Sequence, residues 1–122
     1  MSGYFHLFVY GTLRSNGAGA ALLADGELMG AGSVGGVLYS IDGAYPALVL
    51  YGDAPVTGEV WRCPAATLWT LDEYEGVDSG LFRRIGVNVK LADGRELGCW
   101  TYVAGPKLSQ KLVPARRIEQ WA

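Results

Sequence analysis

Few residues of this chain have a type and setting suited to chemistry. Its one histidine, His6, sits in the middle of the aromatic and β-branched run Tyr4 to Tyr10. A Ser-His-Asp or Cys-His arrangement would have to be built on it, yet no Ser or Cys lies in the strand-to-helix elbow that exposes a nucleophile. His6 therefore reads as a strand histidine with a local hydrogen-bond partner. Cys63 and Cys99 each stand alone in apolar surroundings, which makes them core residues rather than a disulfide framework or a zinc site. A single His and scattered carboxylates do not cluster into a ligand set. With no phosphate loop, dinucleotide fingerprint or CxxC pair either, neither a metal nor a cofactor is expected.

Two features remain. In Val9-Tyr10-Gly11-Thr12-Leu13-Arg14, a glycine ending a buried strand lets successive backbone N–H groups converge on a concavity that could take a carboxylate or an oxyanion. The plain alternative is an ordinary turn. The second feature is Glu75. On a wheel of about 100° per residue it falls between Leu68 and Leu71, on the apolar stripe, whereas Glu73 lies off it. An acid aimed at the core from the last helical turn is partly desolvated and faces the negative end of the helix dipole. Both effects raise its pKa, as general acid–base work near neutral pH requires. The alternative here is that Glu75 reaches past the core edge and pairs with Arg83 or Arg84.

The elements that must position these residues follow from periodicity. Tyr4 to Tyr10 alternates, with Phe5, Leu7 and Val9 on one face and Tyr4, His6, Phe8 and Tyr10 on the other, so it predicts a central strand. Ser15 to Gly26 predicts a short helix with Ser15 or Asn16 as N-cap and Gly26 as terminator. Strand signals run from Leu28 to Arg62, at Gly36–Ile41, Ala47–Tyr51 and Thr57–Arg62, separated by Asp42-Gly43 and Gly52-Asp53-Ala54-Pro55 turns, which predicts a meander. Pro64 to Glu75 predicts a helix with Pro64 in its first turn and Gly76 just past its end. Ile85, Val87, Val89 and Leu91 alternate, as do Leu97, Cys99, Thr101 and Val103, with Asp93-Gly94 as a two-residue hairpin turn. The amphipathic tail from Lys107 to Ala122, interrupted by Pro114, wraps the domain or lies loosely on it. About six or seven strands, with one clear helix and no βαβ rhythm, make the fold class α+β: a small mixed β-barrel with one or two flanking helices, in one domain spanning 1–122.

Composition narrows the function classes. Half the residues are hydrophobic and 18% are charged, which suits a folded domain rather than a disordered chain. The net charge is −2 and the basic residues are dispersed apart from Arg83-Arg84 and Arg116-Arg117, so no stripe for tracking a phosphate backbone is present and no nucleic-acid partner is expected. The stretch Leu28 to Ile41 is free of charge but short of a membrane span and broken by glycines, and the first residues lack a signal-peptide pattern. A cytoplasmic protein without a membrane partner is the default expectation. The sequence does not fix the oligomeric state.

Taken together, these segments resemble the gamma-glutamylcyclotransferase-like family, in its gamma-glutamylamine cyclotransferase and avirulence-induced-protein-like branch. The resemblance rests on Phe8-Val9-Tyr10-Gly11-Thr12-Leu13-Arg14, Gly36-Val37-Leu38-Tyr39, Tyr45-Pro46-Ala47-Leu48, Gly58-Glu59-Val60-Trp61 and Leu71-Asp72-Glu73-Tyr74-Glu75-Gly76 followed by Phe82-Arg83-Arg84, in that order from about Phe8 to Tyr102. It implies a small mixed barrel and a cofactor-free cyclisation of a gamma-glutamyl amide to 5-oxoproline, an acyltransferase- or lyase-type reaction on a small molecule. By the same resemblance the backbone amides of Tyr10, Gly11, Thr12 and Leu13 cradle the glutamyl moiety. Glu75 is the acid–base residue and Tyr102 contacts substrate. Phe82 departs from the family pattern, which often has Tyr before that Arg, and bears on substrate preference. A binding module using the same pocket without turnover is the alternative function. A partner protein presenting an aromatic surface is a third.

Overall fold

A computed structural model of the chain describes residues 3–15, 17, 19–109, 111–112 and 116–118. Strand β1 (Tyr4–Val9) leads through a turn and a single 3-10 turn (Ala20–Leu23) into β2 (Glu27–Gly35), β3 (Val37–Ile41), β4 (Tyr45–Val49) and β5 (Pro55–Pro64). Helix α1 (Thr67–Tyr74), β6 (Phe82–Leu91), β7 (Glu96–Ala104), α2 (Pro106–Ser109) and β8 (Arg116–Ile118) follow. Five strands close a barrel in the order β1-β5-β2-β6-β7, and the other three form a separate sheet in the order β4-β3-β8. The fold is thus α+β and barrel-based, as the periodicities indicate.

The alternation of β1 explains its central place. Leu7 and Val9 enter one buried cluster with Leu13, Leu71 and Tyr102, while Phe8 and Tyr10 enter a second with Val60, Val89 and Leu48. Leu7, Phe8 and Val9 are all buried, so both faces of the strand are covered. It pairs antiparallel with β5 from Tyr4↔Pro64 to Val9↔Glu59, and closes the barrel against β7 through one parallel bridge, Leu7↔Trp100. Cys63 and Cys99 are free thiols and buried, as their apolar settings indicate. Their burial pushes both thiols up to about 11.

Several expectations are corrected. The helix expected over Ser15–Gly26 reduces to the four-residue 3-10 turn, because the Ser15 side chain is bonded to Glu59 instead of capping a helix. Asn16, the other cap candidate, lies outside the described residues. Pro64 closes β5 rather than opening α1, which begins at Thr67. Strand β4 starts at Tyr45, two residues before the expected Ala47, and ends at Val49. The meander breaks apart: β3 and β4 pair only with each other and β8, while β5 returns to the barrel. The β6–β7 hairpin is present, but its turn is wider than two residues: Leu91 N–H bonds Arg95 C=O, and Gly94 takes φ +92. The three-residue connection with a glycine in that conformation is the next commonest hairpin solution. The tail contributes β8, which pairs with β3, so its described part wraps the domain. Pro114 lies outside the described residues. The His6 side chain hydrogen-bonds to no described residue, so the expected local partner is not found; it lines a shallow groove with Asn88, Cys99 and Trp100. Among the described residues no helix is long and apolar enough to cross a membrane.

Helix α1 buries one side chain completely. Leu71 is fully buried, whereas Trp69 is 82% exposed. Leu71→Ala should lower stability by about 2–5 kcal/mol, and Trp69→Ala should leave it within about 0.5 kcal/mol. Denaturant melts of both variants check this; a Leu71→Ala loss below about 1 kcal/mol would show that the helix is not held as described.

Candidate active site

The site lies where β1 ends. A pocket of about 370 Å³ opens there, in the size range of small-molecule sites. Residues Phe8 to Leu13 form one wall, Tyr74 and Glu75 from the end of α1 face it, Tyr45 and Pro46 enter from β4, and Leu81, Phe82 and Tyr102 complete the lining. Every residue singled out from the sequence, namely Tyr10, Gly11, Thr12, Leu13, Glu75 and Tyr102, borders this one cavity.

The turn is shaped by close packing. A Cβ at Gly11 would come within 2.5 Å of Pro46 Cγ, so only glycine lets β1 turn against β4 at this point. The amides of Gly11, Thr12 and Leu13 donate to no described residue. The Gly11 carbonyl, by contrast, accepts the Arg14 N–H (3.0 Å) and Arg14 Nε (3.3 Å), and the Thr12 carbonyl accepts the Gly19 N–H (2.6 Å). Carbonyls spoken for and N–H groups open to a cavity are the makings of an anion nest.

Glu75 follows the last residue of α1, with backbone φ −83 and its N–H bonded to Leu71 C=O. Gly76 takes φ +65 just beyond, the conformation expected of a residue past a helix end. The carboxylate makes no hydrogen bond or ion pair with any described residue, and no side-chain oxygen in the described structure is both fully buried and unpartnered. Its oxygens therefore open onto the pocket. Burial raises its pKa to about 7. The pairing considered for it does not occur: Arg84 bonds Asp72 instead (Nε–Oδ1 2.9 Å, Nη2–Oδ2 3.2 Å), and Arg83 is exposed.

Two tyrosines frame the acid with hydroxyls already engaged. Tyr10 OH donates to Tyr102 C=O (2.6 Å) and accepts Leu48 N–H (3.2 Å). Tyr102 OH donates to Asp72 Oδ1 (2.6 Å), and Arg84 in turn lies 4.5 Å over the Trp100 ring. Burial first, then the Glu75 charge, pushes Tyr10 well above the ordinary phenol value; for Tyr102, burial and then the Asp72 contact do the same. Both stay protonated. Thr12 Oγ1 and Tyr74 OH share a hydrogen bond (2.9 Å) that ties the turn to the helix. Phe82 packs near Tyr45, ring centroids 6.0 Å apart. Reading the sequence alone gives Asp72 no role and weighs Arg84 only as a partner for Glu75. Asp72 was detectable, because it stands three residues before Glu75 and shares its side of the helix. Among the described residues the exposed aromatics are spread over four elements: Tyr4 on β1, Tyr51 in the β4–β5 loop, Trp69 and Tyr74 on α1, and Trp100 on β7.

Comparison with known structures defines the fold class. A crystal structure of an AIG2-like protein from Mus musculus superposes with a TM-score of 0.80 at 21% identity, covering 98% of this chain and 88% of that one. A uropathogenic E. coli-specific protein gives 0.69 at 23% identity, covering 96% and 89%. Residues 7–122 match the model of the family described as "Gamma-glutamyl cyclotransferase, AIG2-like", and the chain belongs to that family. Two gamma-glutamylcyclotransferases are similar to it over 48 residues: that of Mus musculus at 40% identity and that of Homo sapiens at 42%. In each case the match is 39% of this chain and spans about a quarter (26%) of the relative's length.

The raised pKa carries a consequence for stability. Glu75 ionises in the fold only near pH 7, above its ordinary value of 4.5, so folding disfavours the charged form. Its contribution is complete below about pH 4.5 and is lost as pH rises through about 7. Glu75→Gln removes this penalty. The variant should match wild type near pH 4.5 and exceed it above pH 8 by on the order of 2–3 kcal/mol. Calorimetric Tm values at the two pH values check the sign, and an equal or lower Tm for the variant at pH 8.5 would contradict it.

Proposed function

We propose that the chain is a gamma-glutamyl cyclotransferase, converting a gamma-glutamyl amide into 5-oxoproline and a free amine or amino acid. One observation carries this reading: a single pocket joins open backbone amides to a carboxylate with a pKa of about 7 that forms no ion pair among the described residues. Membership of the family supports it.

The chemistry needs no enzyme nucleophile. The α-amine of the substrate attacks its own γ-carbonyl carbon, the new C–N bond closes a five-membered ring, and the bond to the departing amine breaks. Glu75 takes the proton that the α-ammonium must lose before attack and returns it to the leaving nitrogen, so the carboxylate ends as it began. Its pKa suits both halves of that exchange. The amides of the turn hold the α-carboxylate, which folds the glutamyl chain back on itself. Holding reacting atoms close can be worth roughly 7–11 kcal/mol in favourable intramolecular systems. Tyr10 and Tyr102 contribute ring surface and a closed wall, since their hydroxyl protons are committed elsewhere. The leaving amine would extend along Tyr45 and Phe82, where the missing hydroxyl of Phe82 leaves an apolar contact.

Two measurements test this. Incubation with a panel of gamma-glutamyl amino acids and gamma-glutamyl amines, followed by mass spectrometry of 5-oxoproline, should give product that Glu75→Gln lowers by about 10²–10⁴ in kcat. Near-normal turnover by that variant, or no product from any substrate, would reject the reading. With the best substrate, kcat/KM should fall about tenfold per unit as pH drops below about 7, because the base must be ionised. A flat profile between pH 5 and 8 would remove Glu75 from the role.

A further inference from the structure

Glu59 stands outside the pocket lining. In the β1–β5 ladder it faces Val9, the last residue before the turn. Its carboxylate accepts three hydrogen bonds: from Ser15 N–H to Oε1 (2.7 Å), from Ser15 Oγ to Oε2 (2.7 Å) and from Trp61 Nε1 to Oε1 (3.1 Å). Burial alone would raise its pKa, but the Ser15 bonds, the Trp61 bond and the nearby Arg14 charge outweigh it and hold the group below the ordinary value. Glu59 is therefore ionised when Glu75 titrates, and its place outside the pocket lining with both oxygens engaged excludes it as a second base.

What it grips is the far end of the turn. Ser15 follows Arg14, and Arg14 secures the Gly11 carbonyl through both its backbone N–H and its Nε. A trans peptide sets C=O and N–H in opposite directions. Pinning the Gly11 carbonyl on Arg14 therefore aims the Thr12 N–H the other way, and pinning the Thr12 carbonyl on Gly19 does the same for the Leu13 N–H. The direction of the Thr12 amide thus depends on where residue 14 is held, and that of the Leu13 amide on Gly19.

We propose that Glu59 is a positioning residue, clamping Ser15 to β5 so that the Gly11–Thr12 peptide held by Arg14 keeps its N–H turned into the pocket, toward the carboxylate of the bound glutamyl group. The identity of that group rests on the cyclotransferase reading; the clamp itself does not. A turn held this way meets its ligand without first losing conformational freedom. A turn without the clamp must be ordered at each binding event.

The test compares Glu59→Ala, Glu59→Gln and Ser15→Ala in the full chain, by steady-state kinetics on the best gamma-glutamyl amide and by calorimetric titration with 5-oxoproline. Glu59→Ala should raise KM and the 5-oxoproline Kd about tenfold, with kcat nearly unchanged and the acid limb of the pH profile still near 7. Glu59→Gln should restore both to within about threefold, because its amide oxygen accepts from Ser15 N–H and Trp61 while its NH2 donates to Ser15 Oγ. Ser15→Ala, on an exposed loop residue, should give an intermediate loss and serves if Glu59→Ala fails to fold. Kinetics and Kd within twofold of wild type, a lowered Tm with KM unmoved, or a Gln variant as impaired as the Ala variant would each overturn the clamp. If wild type neither turns over a substrate nor binds 5-oxoproline, the cyclotransferase reading is what fails. Amide hydrogen exchange then decides the clamp: acceleration confined to residues 11–15 in Glu59→Ala supports it, and unchanged exchange overturns it.

Discussion

The Glu75 carboxylate lines the pocket with no ion pair or hydrogen bond to any described residue, and the arginine its sequence position suggests as a partner is spent elsewhere. Arg84 holds Asp72 through two nitrogen–oxygen contacts and lies on the Trp100 ring, so it is committed on both sides. Were it to turn to Glu75, the carboxyl would be pulled down from about 7 toward the ordinary acid range, and its proton exchange would leave the physiological window. Asp72 also receives the Tyr102 hydroxyl, which fixes the ring bordering the pocket. A single ion pair thus keeps one acid neutralised so that another, three residues on, stays tunable.

The same economy governs the turn. Strands and α1 supply most of the cavity wall, but the amides of Gly11 to Leu13 and the Glu75 carboxylate come from the segments just after β1 and α1. The turn after β1 is tied down at several points. Pro46 blocks the Gly11 position, Tyr74 reaches Thr12, and Glu59 holds Ser15. Loops carry function well when a scaffold fixes their ends.

Elements with a strong period were legible in the sequence. The alternation of Tyr4 to Tyr10, the paired runs of the β6–β7 hairpin and the apolar stripe of α1 each gave the right element, and the stripe picked out Glu75. Strand β2 was not named as a strand, because Gly30 and Gly32 interrupt its side-chain pattern and its register shifts between Leu28 and Gly30. The departure of β3 and β4 into a second sheet depends on pairing with β8, nearly eighty residues away, which no local pattern reports. The choice between Arg83 and Arg84 turns on strand parity: the hairpin register sets Arg84 beside Tyr102 and Arg83 beside Val103. Sequence spacing left both open. The open amides and the hydrogen-bonding of Glu59 belong to the same class, being set by contacts across the barrel.

The way the barrel closes has a consequence for the order in which the chain assembles. Strand β1 precedes both its neighbours in the chain, yet its antiparallel partner β5 ends at Pro64, and its other neighbour β7 joins it at the Leu7–Trp100 bridge and through Thr101 Oγ1 to Phe8 C=O. Pairings so distant in sequence are slow, because long loops must close before any contact rewards them. The β6–β7 hairpin is local and can form early. The turn at the end of β1 therefore acquires its final surroundings only when the first strand is stitched between β5 and β7, which makes the cradle a late product of folding. A circular permutant that placed β1 after β7, through a crossover long enough for their parallel pairing, would shorten one of those two closures and bring the pocket together earlier.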